Sequence, residues 1–308
     1  MSKRLRAILH GGIIVVILLF WGLAIVRHWD QFVSYPWQVS PTSLLLAFAA
    51  AMAEIFVVFA VWWRALALTG VRIPWQVGVQ VFFRAQIARY LPGGIWDLVG
   101  RFVLASQAGV GKRAMAASMG LEMGLQVLSG GVFLLLALAL RSGLAMQSYL
   151  GLSVVIIVGA LIFLSPPVFT AFVNFGLKLL KKPALVMQLT WWGLFQLFLL
   201  RLLGHVLMGL GFFFMVRGIA PIPLDTAPLL ITSFVGAWLI GYLAIIFPMG
   251  IGIREGALVL LTSSVLPFSV ATAAVVGYRL LFAIRDMIAA GIGIILARRQ
   301  PQPPNAHT

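Results

Sequence analysis

The sequence predicts an all-α integral membrane protein with about six transmembrane helices and two re-entrant or paired-helix hairpins in an inverted repeat. Of its 308 residues, 62% are hydrophobic and 9% are charged, and the mean hydropathy is +1.08. That composition is typical of a multi-pass membrane protein. In addition, two Pro-Gly breaks interrupt apolar sequence near residues 90–95 and 246–251. A break inside a bilayer requires protein or a hydrated cavity to satisfy the freed backbone groups.

The apolar runs are long enough to cross a bilayer, because a spanning helix needs about 20 such residues. They lie near residues 11–27, 43–66, 113–140, 149–168, 189–216 and 268–297. The first run follows three basic residues and precedes no clear cleavage site, which favours an uncleaved signal anchor. We expect one polytopic domain over residues 1–299, no separate catalytic domain, and a disordered cytoplasmic tail over residues 300–308.

Basic residues concentrate on one predicted side of the membrane. The segment after the second span carries Arg72, Arg84, Arg89, Arg101, Lys112 and Arg113, and the loop after the fourth carries Lys178, Lys181 and Lys182. The turns on the opposite side carry Arg27, Arg141 and Arg217. By the positive-inside rule, we expect a bacterial-type inner-membrane protein with both termini in the cytoplasm.

The net charge of +15 predicts contact with anionic lipid headgroups rather than with nucleic acid. The chain has no cysteine, which excludes disulfides and thiolate metal sites. Its four histidines, at positions 10, 28, 205 and 307, lack the spacing of metal ligands. We therefore expect no bound metal and no cofactor.

Each Pro-Gly break joins two short helical runs, so residues 73–111 and 227–266 are predicted to form hairpins. A shift of 156 residues places Pro92 on Pro248 and Gly94 on Gly250. Around these positions the order span, hairpin, span recurs. Residues 43–140 correspond to residues 189–297, and the two repeats have opposite orientations in the membrane. An inverted repeat with interrupted helices indicates a transporter whose site lies where the interruptions meet.

Charged side chains inside apolar runs are the strongest candidates for function, because each costs about 2.5–3.5 kcal/mol at a helix centre. They are Glu54, Glu122, Arg201, Arg254, Glu255 and Arg279. Helical spacing places Ser118, Glu122, Gln126 and Ser129 on one stripe and Thr272, Arg279 and Asp286 on another. We expect Glu122 and Arg279 to approach each other, either as a structural salt bridge or as part of a headgroup site.

The second arm of each hairpin begins just after its break, which turns helix N-terminal donors toward the tip and suits an anion. Glycines there either admit a phosphate or allow tight helix crossing. Arg89 and Arg101 flank the first break, and either capture headgroups or are ordinary positive-inside residues. Asp97 precedes Arg101 by four residues, a favourable helical pair. The predicted headgroup site comprises Arg89, Pro92, Gly93, Gly94, Arg101, Glu122, Pro248, Gly250, Gly252, Arg254, Glu255 and Arg279.

Two further patterns have simple structural interpretations. Arg201 and His205 are four residues apart, which predicts a buried polar pair or, alternatively, a proton relay. Paired tryptophans, Trp62 with Trp63 and Trp191 with Trp192, are predicted to lie in interfacial belts.

The chain resembles the flippase-type transmembrane domain of the lysylphosphatidylglycerol synthases, the multiple peptide resistance factor family, as a stand-alone member. The resemblance covers about residues 40–297 and rests on four stretches: Arg89 to Ile95, Glu122, Pro248 to Gly256, and Tyr278 to Leu281. It implies movement of modified or anionic lipids between leaflets.

Three functions follow as hypotheses. The first is a lipid translocase, a flippase or scramblase, for an anionic, aminoacylated or glycosylated lipid. The second is a membrane-embedded lipid-modifying enzyme that uses Asp97 or Glu122 as acid or base. The third is a non-transporting scaffold for a glycosyltransferase or synthase. Expected partners are membrane lipids and, if the scaffold hypothesis holds, a lipid-modifying enzyme; the sequence leaves homo-oligomerisation open.

Overall fold

The computed structural model describes residues 26–27, 29–90, 96–142, 165–179, 187–244 and 252–298, with isolated positions at 151, 159, 162 and 183–184. Those residues form α-helices and short 3₁₀ turns. The helices are α1 (Trp29–Ser34), α2 (Pro41–Leu68), α3 (Trp75–Gln86), α4 (Trp96–Gln107), α5 (Lys112–Ser142), α6 (Pro166–Leu179), α7 (Trp191–Ile219), α8 (Ala227–Leu243), α9 (Ile253–Thr262) and α10 (Phe268–Arg298).

Within the described part of the chain, five helices are long and apolar enough to cross a membrane. Four of them, α2, α5, α7 and α10, coincide with predicted spans and confirm the all-α membrane class. The predicted spans at 11–27 and 149–168 lie mostly outside the described residues, as does the tail at 300–308. The fifth helix, Leu224–Leu243, was not among the predicted spans.

The first hairpin has two arms of equal length. Helices α3 and α4 are 12 residues each and pack against one another. At 1.5 Å per residue each arm is about 18 Å long, which is too short for the roughly 30 Å hydrocarbon core. A 3₁₀ turn, Ile87–Tyr90, extends α3 toward the break. The predicted short arms are therefore confirmed here.

The second hairpin is asymmetric, and the prediction of two short arms is wrong for its first arm. Leu224–Leu243 is 20 residues long, whereas α9 has 10 residues. The long arm arises because no charged residue separates Asp225 from Arg254, and the proline of α8 lies in its first turn, where proline is tolerated. Helices α8 and α9 pack together as hairpin arms.

The chain divides into two compact units whose boundaries fall inside α2, α5, α7 and α10. Unit 1 comprises residues 1–57, 124–163 and 198–282, and unit 2 comprises the remainder. The core of unit 1 is aromatic. Phe212 stacks on Phe234 with ring centroids 4.5 Å apart, and Tyr278 meets Phe234 edge-on at 5.1 Å. This packing joins α7, α8 and α10.

Unit 2 has its own aromatic core, formed by Phe59, Trp62, Phe82 and Phe83. Trp62 is fully buried, so the prediction that it belongs to an interfacial belt is wrong. Its neighbour Trp63 is partly buried and donates a hydrogen bond to the Ile73 carbonyl. By contrast, the exposed Trp191 and Trp192 fit a belt. Successive side chains in a helix point in different directions, which allows Trp62 to be fully buried while Trp63 is only partly buried.

Helix ends that the charge pattern assigns to one side lie together within a unit. In unit 1, Ser40 N donates to the Gly218 carbonyl, and Arg141 contacts Ser263. These atoms belong to ends predicted to face outside. In unit 2, Gln188 N donates to the Leu68 carbonyl, joining two ends predicted to be cytoplasmic. The orientation relative to the cytoplasm stays a prediction.

Candidate functional site

The Arg279 cluster, made of Arg254, Glu255 and Arg279, lies in unit 1 where α9 meets α10. Arg279 forms a salt bridge with Glu255, and Arg254 Nε lies 3.6 Å from the same carboxylate. The Glu255 side chain is 10% exposed, whereas that of Arg279 is 34% exposed. The cluster thus combines a buried carboxylate with a guanidinium that remains accessible.

Close packing against glycine positions this cluster. A Cβ on Gly241 of α8 would lie 2.8 Å from the Arg254 Cβ, so a side chain there would displace Arg254. Arg254 in turn lies over the Phe234 ring, 5.7 Å from its centroid. The hydroxyl of Tyr278, next to Arg279, donates to the Met208 carbonyl at 2.8 Å. These contacts fix the positions of α9 and α10 around Glu255.

Glu255 also caps its own helix. Gly252, with φ of 87°, precedes α9, and its backbone N–H donates to Glu255 Oε2 at 2.6 Å. In the first hairpin, Leu98 N donates to Asp97 Oδ1 at 2.9 Å. The first turn of each second arm therefore places a carboxylate where the sequence predicted free donors for an anion. At Gly252 and Leu98 that prediction is wrong, because acidic side chains in a first turn bind the exposed N–H groups themselves.

In unit 2, Arg101 of α4 and Glu122 of α5 form a buried salt bridge at 2.6 Å. The Arg101 guanidinium lies 5.7 Å from the Trp62 ring centroid and 5.0 Å from that of Phe82. The predicted helical pair between Asp97 and Arg101 is wrong, since Asp97 pairs with Arg89 instead. The partner of Arg101 in the structure, Glu122, is more buried than Asp97 of its own helix.

The Asp286 cluster, also in unit 2, attaches the end of the first arm to α10. Asp286 accepts hydrogen bonds from the Tyr90 hydroxyl at 2.9 Å and from Arg285 at 2.7 Å, and Arg89 lies 3.4 Å away. The Asp286 side chain is 1% exposed. Burial and the neighbouring Asp286 raise the pKa of Tyr90, which keeps its hydroxyl protonated and able to donate.

The structure brings the predicted site residues together in two groups, one per unit. Arg254, Glu255, Arg279 and Gly252 meet in unit 1, and Arg101 with Glu122, and Arg89 separately, lie in unit 2. Pro92, Gly93, Gly94, Pro248 and Gly250 lie outside the described residues. The ion pairs of Glu122 and Arg279 each form within one predicted repeat, and their mutual approach stays a prediction.

Three residues of the predicted polar stripe of α5 are buried, since Ser118, Gln126 and Ser129 are no more than 3% exposed. Sequence reasoning left Arg285 and Asp286 out of the site. The signal was available, because both lie inside the apolar run at 268–297 and carry the same insertion cost as Glu122.

A comparison with family models decides the family. The model described as the lysylphosphatidylglycerol synthase TM region matches residues 8–289. The chain belongs to this family. No curated protein matches the chain. Membership in the lysylphosphatidylglycerol synthase TM region family points to a lipid-related function in a membrane.

The two groups differ in what they can do chemically. The Arg279 cluster holds two guanidiniums against one carboxylate, a net positive charge, and its outer guanidinium is accessible. Guanidinium groups bind phosphate in a bidentate manner. Arg101, by contrast, is 7% exposed and is committed to Glu122 and two rings. Arg279 remains accessible beside its carboxylate, as does Arg89, whose side chain is 37% exposed.

Proposed function

We propose that this protein is a lipid translocase that moves a phospholipid with an anionic headgroup between leaflets without changing it chemically. The observation that supports the proposal is the Glu255–Arg279 salt bridge, in which a buried carboxylate holds a guanidinium that is one third exposed. A headgroup that crosses unaided must give up its hydration in an apolar slab. A charged cluster inside the protein replaces part of that hydration.

Partner exchange at Arg279 supplies a physical route. The guanidinium leaves Glu255, binds the headgroup phosphate, and returns to Glu255 when the lipid departs. Arg254 remains beside Glu255 during this step and offsets part of the carboxylate charge. Before the headgroup binds and after it leaves, Arg279 pairs with Glu255. The protein therefore has no uncompensated charge at either point.

The charge of the cluster defines the substrate class. Two arginines and one glutamate leave one net positive charge, which favours a headgroup with a net negative charge over a zwitterionic one. Aminoacylated or glycosylated lipids with a phosphate retain the group that a guanidinium binds. The carboxylate of Glu255 also offers a partner for an added amine.

The test is leaflet exchange in proteoliposomes. Acyl-labelled fluorescent phosphatidylglycerol and phosphatidylcholine report exchange through quenching by a membrane-impermeant reductant. Protein should accelerate exchange of the anionic probe over protein-free vesicles and over the zwitterionic probe. Arg279→Gln should slow it about tenfold or more, the effect of losing roughly 1.4 kcal/mol of headgroup stabilisation.

Arg298→Gln is the matched control, because Arg298 is exposed at the end of the same helix and the change in charge is identical. It should retain the wild-type rate. Wild-type rates in Arg279→Gln, or no acceleration by the wild-type protein, would contradict the proposal. Mass spectra of the lipids before and after the assay test for the enzyme alternative, in which a modified lipid appears.

A further inference from the structure

Unit 1 contains a second polar group, formed by His205 of α7 and Gln126 of α5. His205 lies at the centre of α7, fourteen residues from each end, and Gln126 lies near the centre of α5. Their side chains belong to residues that are 2% and 3% exposed. Both therefore sit at the depth where a polar group is hardest to accommodate in a spanning helix.

The two side chains meet at 3.1 Å between Gln126 Nε2 and His205 Nε2. The other ring nitrogen, Nδ1, is buried, and no described protein group hydrogen-bonds to it. The same holds for Gln126 Oε1. Whichever tautomer the ring adopts, Nδ1 is left as a buried donor or acceptor, a costly arrangement for a purely structural histidine.

The surroundings of His205 are aromatic, with Phe133 and Trp238 ring centroids 5.6 and 6.3 Å from the imidazole. From the elements packed against it, α5 therefore presents Gln126 and Phe133, and α8 presents Trp238, and none of these is charged. Among the described residues, Arg201, one turn earlier on α7, is a charged neighbour. An imidazolium donates from both ring nitrogens, and in this packed arrangement no described group accepts from Nδ1.

A proton consequently binds better to a conformation in which His205 reaches water. Any ligand that prefers one conformation shifts the population toward it. We propose that His205, held by Gln126, is a proton-binding site at the centre of the spans, through which acid pH favours a conformation in which the ring reaches water and accelerates lipid exchange. This inference rests on the proposed function for its effect on exchange, but the proton-binding site itself does not.

The first experiment measures exchange of the phosphatidylglycerol probe from about pH 8 to about pH 5, the range in which histidine changes charge. Wild-type exchange should rise at least about threefold as the pH falls, and His205→Gln should show a rate that no longer varies with pH. His307→Gln, a histidine in the C-terminal tail, is the matched control and should keep the pH dependence.

Gln126→Glu separates a proton-binding role from a structural one. A carboxylate beside His205 favours the imidazolium, so the midpoint of the pH dependence should rise by about 1 to 3 pH units. A residue that only packs would lower activity without moving the midpoint. An unchanged midpoint in a folded Gln126→Glu variant would overturn the proposal.

A direct measurement keeps the test independent of transport and of variants that fail to fold. In nanodiscs, ¹⁵N spectra of protein with His10→Gln, His28→Gln and His307→Gln report His205 alone. Its ring should gain a proton over the pH range in which the exchange rate rises. An imidazole that stays neutral throughout, or wild-type exchange independent of pH, would overturn this inference. Titration without any lipid exchange would instead contradict the proposed translocase.

Discussion

Arg101 and Arg279 both bind a carboxylate, yet their surroundings assign them different roles. Arg101 is 7% exposed, and two aromatic rings flank its guanidinium. Arg279 is 34% exposed, and its partner Glu255 has a second arginine beside it. A buried pair is costly to break because the remaining charge has no solvent. Arg101 therefore holds α4 against α5, whereas the proposed function assigns partner exchange to the more exposed Arg279.

Glu122→Ala should destabilise the protein by about 3–5 kcal/mol, because it leaves Arg101 as a buried charge without its carboxylate. Thermal or chemical unfolding in detergent measures the loss. The double variant Arg101→Met, Glu122→Leu removes both charges and should recover most of the stability. Wild-type stability in Glu122→Ala would show that the pair does not hold α4 and α5 together.

Tyr278→Phe removes a buried hydrogen bond to the Met208 carbonyl and should cost about 1–2 kcal/mol of unfolding free energy. A Cβ added at Gly211 would lie within 2.1 Å of the same hydroxyl. Gly211→Ala should therefore be more damaging alone than in the Tyr278→Phe background. The double-mutant cycle measures this coupling, and additive effects would contradict the packing.

At the level of elements, the two second arms share a design. Helices α4 and α9 each have an acidic residue in the first turn, and its carboxylate accepts a hydrogen bond from a backbone N–H near the helix start. Each arm then pairs with the following long helix, through Arg101 with Glu122 and through Glu255 with Arg279. The sign of the charge is reversed between the two pairs. The break of each hairpin is thus followed by a capped helix fixed by an ion pair.

Gly252→Ala tests the start of α9. Gly252 has φ of 87°, so an alanine there should cost about 1–3 kcal/mol of unfolding free energy. Gly256→Ala is the control on the same helix, since a Cβ there meets nothing within 4 Å and alanine favours helix. It should be neutral or slightly stabilising. Equal stability of the two variants would exclude a strained helix start.

At the level of the whole molecule, the helix ends that contact each other within a unit are predicted to face the same side of the membrane. Unit 1 joins the start of α2 to the end of α7, and unit 2 joins the end of α2 to the start of α7. Such contacts are expected if α2 and α7 run antiparallel. They agree with the alternation that the positive-inside rule predicts, while the rule alone assigns the cytoplasmic side.

Single-cysteine labelling measures the sidedness directly, because the native chain contains no cysteine. Gln107→Cys and Ser264→Cys place thiols at exposed positions near the C-terminal ends of the first and second hairpins. A membrane-impermeant maleimide should label Ser264→Cys only from outside and Gln107→Cys only from the cytoplasmic side. Labelling of both from one side would contradict the predicted topology.

The sequence by itself determined the fold class, four of the long helices, and the residues that could bear charge inside the membrane. Hydropathy suffices for these features, because apolar length and the cost of burying charge are properties of each segment alone. The sequence also contained the charge of Asp286 inside an apolar run and the apolar length of Leu224–Leu243. The prediction nevertheless left Asp286 out of the site and Leu224–Leu243 out of the spans.

Only the tertiary structure decided which charges pair. Helical spacing predicted a pair between Asp97 and Arg101. In the structure, Arg101 pairs with Glu122 of the next helix, and Glu255 pairs with Arg279 of α10. Those partners are more than 20 residues away in sequence, so no local rule selects them. Packing against glycine and aromatic rings sets which side chains meet. As a result, Arg279 is accessible, whereas Arg101 is buried against its carboxylate and two aromatic rings.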